Sequence, residues 1–203
     1  MAMADRFSDL IKMRSAEMRR DRCARGFTMI EVLIVIAIAS LLAMVAIPSL
    51  QDMIQRNRVS GEVNSFIGDV QFARAQAIKT GQPVTICVSS NGSTCLGVNT
   101  WYSGWIVFTD VNGSATMDDP KDVVLRTRAT FSGSDSFSAA PARTAITYGR
   151  TGFASGIPAT GVTLKITTTP ANTAAVRCIY LDLIGHQSSG KLGDALSSTV
   201  TCS

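Results

Sequence analysis

A single histidine, His186, occurs in the 203 residues. Without a second imidazole the chain offers no serine–histidine pairing of recognisable spacing. No two cysteines are spaced as CxxC, so a zinc site has neither its usual thiolate pair nor a histidine partner. A glycine-rich phosphate loop and any clustered ligand motif are also missing. No internal repeat is present, which sets aside solenoid and propeller architectures. These absences argue against an enzyme and against a bound cofactor or metal. His186 itself, in Ile184-Gly185-His186-Gln187, reads as a polar residue in a turn.

Charge is missing from one long stretch. From Phe27 to Ile47 there are twenty-one residues, and Glu31 is the only charged one. At about 1.5 Å per residue this run is long enough to cross the ~30 Å hydrocarbon layer of a bilayer. A carboxylate in such a span costs roughly 2.5–3.5 kcal/mol on insertion scales, so Glu31 calls for a partner and a purpose.

The basic excess is unevenly placed. Up to Gly26 the chain holds seven Lys/Arg against four Asp/Glu, whereas beyond it twelve face eleven. Positive charge on the short side of the span predicts a cytoplasmic amino terminus and an exported remainder. The nearly balanced remainder is no evidence for nucleic-acid binding. An ordinary secretory signal, with an apolar core of roughly 7–15 residues and a small-residue cut site, fits this longer acid-bearing run poorly. A plain single-span anchor explains the hydrophobicity but accounts for neither Glu31 nor the Gly26-Phe27 junction.

The five cysteines divide the same way. Cys23 precedes the span, and Cys87, Cys95, Cys178 and Cys202 follow it, where an oxidising compartment lets disulfides persist. Four cysteines allow three pairings. The simplest is local: Cys87 with Cys95 around a turn at Asn91-Gly92, and Cys178 with Cys202 closing the carboxyl-terminal tail.

Past the apolar run, Val63, Phe66, Ile67, Val70, Ala73 and Ala77 recur at three- and four-residue steps, as on a helix packed against a sheet. Glu62, Asp69, Arg74 and Lys79 fall on its expected polar face. Pro48 predicts a bend or loosened turn, and Gly81-Gln82-Pro83 a stop. Short runs rich in branched and aromatic residues follow, at Val84–Val88, Trp105–Thr109, Val123–Thr127, Ala145–Tyr148, Val162–Thr167 and Cys178–Ile184, separated by Gly, Asn, Ser and Pro. Ser132–Ala142, small and polar, reads as a mobile loop. The fold class is α+β: a long amino-terminal helix, membrane-spanning and then amphipathic, packed on a mostly antiparallel sheet domain.

The run Arg25-Gly26-Phe27-Thr28, Glu31 and the apolar helix with Pro48 near its end closely resemble the start of a type IV prepilin or pseudopilin. Phe72-Ala73-Arg74-Ala75-Gln76-Ala77 before Val84–Cys87, Gly104-Trp105-Ile106-Val107-Phe108-Thr109-Asp110, and Tyr148-Gly149-Arg150-Thr151-Gly152 narrow the resemblance to the GspH/FimT group of minor pilins and pseudopilins. That resemblance implies a cleaved basic leader over residues 1–26, a membrane and assembly helix over 27–47, an amphipathic continuation over 48–82 and a periplasmic β-rich domain over 83–203. It implies a prepilin peptidase that cuts between Gly26 and Phe27 and methylates the new amino terminus on Phe27. It also implies that Glu31 pairs with the amino terminus of a neighbouring subunit. The implied partners are a major pilin or pseudopilin, other minor subunits, an inner-membrane assembly platform and membrane lipid along residues 27–47. The machine is a type IV pilus or a type II secretion system.

Two other segments carry residues of a kind used for binding. Some FimT-type minor pilins take part in DNA uptake through a Gly-Arg-x-Arg turn. Here the turn reads Gly185-His186-Gln187-Ser188, with Arg177 and Lys191 as the nearby cations, so only its glycine matches. Asp110-Val111-Asn112-Gly113, with Asp118 and Asp119 following, offers oxygen ligands of the kind calcium accepts, but departs from the EF-hand pattern. A solvated hairpin loop is the better reading of that segment.

Overall fold

The computed structural model describes residues 26–203. The chain divides into two compact units, the first reaching Ala46 and the second spanning Ile47–Ser203. One helix, α1 (Met29–Thr80), contributes to both. Thr28 caps it: its Oγ1 accepts the Glu31 N–H at 3.3 Å. The cap leaves Glu31 in the first turn, where the helix dipole favours a negative charge. Helical backbone continues through Pro48, which has no N–H to offer the carbonyl four residues earlier. Gly81 ends the helix with a φ of 70° and an N–H bonded to Ala77 O.

In the first unit the described part of α1 is apolar apart from Glu31 and Ser40, and without protein cover. In the second unit α1 changes character. Val59, Val63, Phe66, Val70, Ala73 and Ala77, in alternating steps of four and three, are buried.

The second unit contains nine strands. β1 (Val84–Val88), β2 (Trp105–Thr109), β3 (Val124–Arg128), β5 (Ala145–Tyr148) and β6 (Ala154–Ser155) form one sheet in the order β3-β2-β1-β5-β6. β4 (Ser136–Ala140), β7 (Val162–Thr167), β8 (Arg177–Leu181) and β9 (Gln187–Lys191) form a second, in the order β4-β7-β8-β9. Every pairing is antiparallel. One apolar cluster joins the helix face to both sheets, through Ile86 and Val107 of the first and Leu164 and Ile179 of the second. At its centre the Phe66 ring stands edge-on to Trp101, Trp105 and Phe137, with centroids 5.4, 5.3 and 5.1 Å away.

The opposite face of each sheet is also covered, which is why β1 is buried at every position. Cys87, Ile106 and Phe108 pack there with Cys95 and Met117. Behind the second sheet, Cys178 and Tyr180 pack with Leu196 and Cys202. Each cover is held by a disulfide, Cys87–Cys95 on one sheet and Cys178–Cys202 on the other, both with Cα atoms 5.6 Å apart. In the chain-entropy account the longer of these loops contributes ~3 kcal/mol.

Three expectations are corrected. Ser132–Ala142 is not a mobile loop throughout, because Ser136–Ala140 forms the edge strand β4. Phe137 and Ala139 alternate inward, and the Asn99 side chain bonds both the N–H and the C=O of Ala139, occupying the free edge. Gln187 and Ser188, expected in a turn with Gly185 and His186, belong to strand β9 (Gln187–Lys191), which has no large apolar residue to announce it; its ladder with β8 runs from Leu181↔Gln187 to Arg177↔Lys191. Asp69 does not face water. It is 3 % exposed, accepts the Trp105 indole N–H at 3.0 Å, and pairs with Arg126 at 3.0 Å and Arg128 at 3.6 Å. A buried indole needs an acceptor, and helix spacing puts Asp69 beside Phe66 and Val70 where it can supply one.

Removing that carboxylate strands the indole and leaves two guanidinium groups without their counter-charge. Asp69→Ala should lower unfolding stability by ~3 kcal/mol. Asp69→Asn, which keeps an acceptor for Trp105, should cost less. Chemical denaturation of the detergent-solubilised chain measures both, and equal losses would contradict the role given to the indole bond.

Candidate functional site

The amino-terminal end of α1 presents the residues expected to matter for processing and assembly. Gly26, Phe27 and Thr28 precede the helix, and Phe27 shares a shallow groove with Glu31, Val32, Val35 and Ile36. Glu31 is exposed and takes part in no ion pair among the described residues. Its carboxylate is therefore open to a group from outside. Residues 1–25, which include most of the expected leader and Cys23, lie outside the described residues.

Arg177, His186 and Lys191 do not form one patch. Arg177 and Lys191 are register partners at one end of the β8–β9 hairpin. His186 sits in the turn at the other end, about 13 Å along the strands. The Arg177 guanidinium donates to the carbonyls of Ala174 and Val176 at 3.0 and 2.8 Å. Lys191 lies beside Asp194, whose carboxylate accepts the Lys191 N–H at 2.8 Å. His186 is exposed, with Nδ1 3.9 Å from Asp182 Oδ2. Arg150, in the other glycine-arginine turn, is exposed on the β5–β6 connection.

The Asp110 segment differs from a solvated loop. Asp110 is fully buried and accepts from Thr85 Oγ1 at 2.6 Å and from the N–H groups of Ser114 and Ala115 at 2.9 Å each. It is an internal brace, holding its turn to β1. Asp118 is exposed, and hydrogen bonds from Asn112 and then Ser114 hold its carboxyl below the usual range. Among the described residues no group of three His, Cys, Asp or Glu is arranged to hold a metal.

A second charged region lies where α1 meets the sheets. Arg58 makes a two-pronged bond to buried Asp135, at 2.9 and 2.6 Å. Arg126 stacks on Phe72, 3.7 Å from its ring centre, while reaching Asp69. Arg74 donates to the carbonyls of Gly185 and Ile184, tying α1 to the β8–β9 turn. Beside the Arg58 anchor is a groove of about 480 Å³ whose wall includes Glu62. One Glu62 carboxyl oxygen, Oε2, is buried without a hydrogen-bond partner. Burial foremost, and then the negative charge of Asp135, push the Glu62 pKa up to about 7, while Arg58 opposes the rise. Sequence reasoning placed Glu62 on a polar face; its four-residue spacing from Arg58 is the one local hint of this setting.

A carboxyl group whose folded-state pKa lies above its unfolded value holds its proton more tightly when folded. Its contribution to stability is greatest below the unfolded value and is lost as pH rises through about 7. Glu62→Gln should therefore raise the melting temperature of the chain at about pH 8 by more than it does at about pH 5. A pH-independent difference in thermal unfolding would contradict this assignment.

Residues 62–185 match the family described as Type II transport protein GspH. Residues 21–47 match the prokaryotic N-terminal methylation motif. Among solved structures, the type IV minor pilin FimU of Pseudomonas aeruginosa has a TM-score of 0.54 at 15% identity, covering 73% of this chain and 97% of that one. The minor pseudopilin EpsH from the Type 2 Secretion System of Vibrio cholerae has a TM-score of 0.47 at 11% identity, covering 68% of this chain and 99% of that one. At 15% identity the likeness to FimU is one of fold. The GspH match spans more than half of the chain, from the packed half of α1 through β8, and the methylation motif covers the start of the helix. The chain belongs to the GspH family, as a GspH/FimT-like type IV minor pilin or pseudopilin.

Proposed function

We propose that this chain is a structural subunit of a type IV pilus or a type II secretion pseudopilus, and that it helps to initiate or cap the filament. In this reading prepilin peptidase cuts between Gly26 and Phe27 and methylates the Phe27 amine. The apolar part of α1 then holds the subunit in the inner membrane, with the domain from Ile47 onward on the periplasmic side. The other partners are a major pilin or pseudopilin, further minor subunits and an inner-membrane assembly platform.

The observation that carries the reading is the match of residues 21–47 to the methylation motif, together with a lone carboxylate in the otherwise uncharged stretch Phe27–Ile47, whose part of α1 has no protein cover. The basic excess before Gly26 supports the orientation. The physics of Glu31 supports assembly. A buried carboxylate and a buried amine are each costly in hydrocarbon, and pairing offsets part of both costs. Such a pairing forms in one register only, so membrane cost is turned into subunit alignment.

Two results test this reading. Mass spectrometry of the membrane-extracted protein should find a mature chain that begins at Phe27 and carries one methyl group. A start beyond Pro48 would point to an ordinary secretory signal instead. Glu31→Val removes roughly 2.5–3.5 kcal/mol of insertion cost, so the variant should reach the membrane at least as well as the native chain. It should nonetheless be depleted from sheared filaments, and full complementation of a deletion strain would exclude the role given to Glu31.

A further inference from the structure

The carboxyl end of α1 and two hairpin connections form a corner that none of the roles above uses. The β5–β6 connection (149–153) and the β8–β9 connection (182–186) abut there, and the Ala154 N–H donates to Leu183 O across them at 2.8 Å. A Cβ on Gly152 would lie 2.8 Å from Ile78 Cδ1, and one on Gly185 would lie 2.6 Å from Gly152 O, so helix and turns are in direct contact. Arg74 locks the arrangement through the carbonyls of Ile184 and Gly185. The surface so fixed carries three large apolar side chains, Ile78, Phe153 and Ile184, which are 52, 54 and 59 % exposed. Single exposed apolar residues need no explanation, but three at one braced corner mark a contact surface.

The charge around them has one prevailing sign. Residues 74–80, 149–153 and 182–186 hold Arg74, Lys79 and Arg150 against the single acid Asp182. Asp182 is turned into its own connection, where its carboxylate accepts the His186 N–H at 2.8 Å and stands 3.9 Å from His186 Nδ1. Among the described residues no carboxylate is paired with Arg74, Lys79 or Arg150. The acids of the β2–β3 connection leave the same end of the first sheet, but from β2, with β1 between it and β5, about 10 Å away. Asp110 and Asp122 in that connection are spent on local N–H groups.

We infer that this corner docks an acidic, apolar segment of another protein subunit: a large apolar side chain sits on Ile78, Phe153 and Ile184 while carboxylates beside it reach Arg150 and Lys79. Charge complementarity calls for the acids, since the corner presents cations with no carboxylate paired to them. Two of the three apolar residues are isoleucines, which offer a base no ring to stack on, so the centre suits an apolar side chain better than a nucleotide. The bilayer that holds the uncharged stretch ends about 45 Å of helix short of Ile78, which disfavours lipid as the cover. The inference goes beyond the filament-subunit reading and rests on it only for the class of partner.

The test uses the full chain in the cells that make it. A photo-crosslinking residue replaces Thr151, which is exposed between Arg150 and Gly152, and the joined peptides are identified by mass spectrometry. The expected product joins position 151 to one protein segment that carries Asp or Glu next to a large apolar residue. Phe153→Ser and Arg150→Glu should each lower its yield roughly tenfold, as loss of a central contact or a reversed charge does. Exchanging the partner's carboxylate for arginine should restore the Arg150→Glu product, a rescue that a misfolded variant could not give. A product confined to lipid or DNA, a partner segment without acids, or a yield indifferent to Arg150→Glu would overturn the inference. Absence of any product from a chain that is processed at Gly26 and recovered with other pilin-type subunits would overturn it too, and leave the filament reading intact. A chain that is not processed at Gly26 but still gives the acidic product would overturn the filament reading alone.

Discussion

The Phe66 ring, edge-on to three aromatic rings, sets the terms for much of the second unit. Trp105 belongs to the first sheet, Phe137 to the second, and Trp101 to the 3-10 turn that precedes β2. Burying two indoles in that cluster creates two donors that water cannot reach. Trp101 solves its problem with the carbonyl of Arg143 at 2.8 Å, and Trp105 with the carboxylate of Asp69. A buried carboxylate then requires cations, which Arg126 and Arg128 bring from β3. The requirements run in sequence, from aromatic packing to indole donor to buried acid to surface arginine. Each step is a demand for satisfaction of what the previous one buried.

The same logic fixes α1 to the domain at separate heights. Near its entry into the second unit, Asn172 donates to Asp52 and Gln55 at 2.7 and 2.9 Å. One turn further on Arg58 holds Asp135, and near the carboxyl end Arg74 grips the carbonyls of the β8–β9 turn. Gly185 is required at that last contact, since its φ is 77° and a Cβ would lie 2.6 Å from Gly152 O and 2.9 Å from the Arg74 guanidinium carbon. In the first unit the described part of the helix has no such attachments and no cover, only apolar side chains with Glu31 and Ser40 among them. One helix therefore meets two environments, apolar all round in one and striped in the other.

Much of this was legible from local sequence. The three- and four-residue spacing from Val63 to Ala77 and the β-branched runs at Val84–Val88 and Val162–Thr167 reappear as buried helix face and strands, because burial is read directly from side-chain type and period. Strands β4 and β9 were not legible. Ser136–Ala140 and Gln187–Lys191 pair because β7 and β8 offer them an edge, and their own residues, Phe137 apart, are too small or polar to signal it. Asp69 was misplaced for a related reason, since helix spacing gives the position of a side chain but not what faces it.

What the sequence by itself determined is the arrangement along the chain: a basic start, an uncharged helix with one acid near its amino end, a striped helix, then strands. Those properties depend on neighbours a few residues apart. The tertiary structure alone decided which acids are buried and which remain unmatched. Asp69 and Asp135 meet arginines 57 and 77 residues away, and Asp110 meets a threonine 25 residues away. The setting of Glu62, with one carboxyl oxygen buried and unpaired, likewise exists only in the folded chain. Charge satisfaction is a property of the folded neighbourhood, and no local window of sequence contains it.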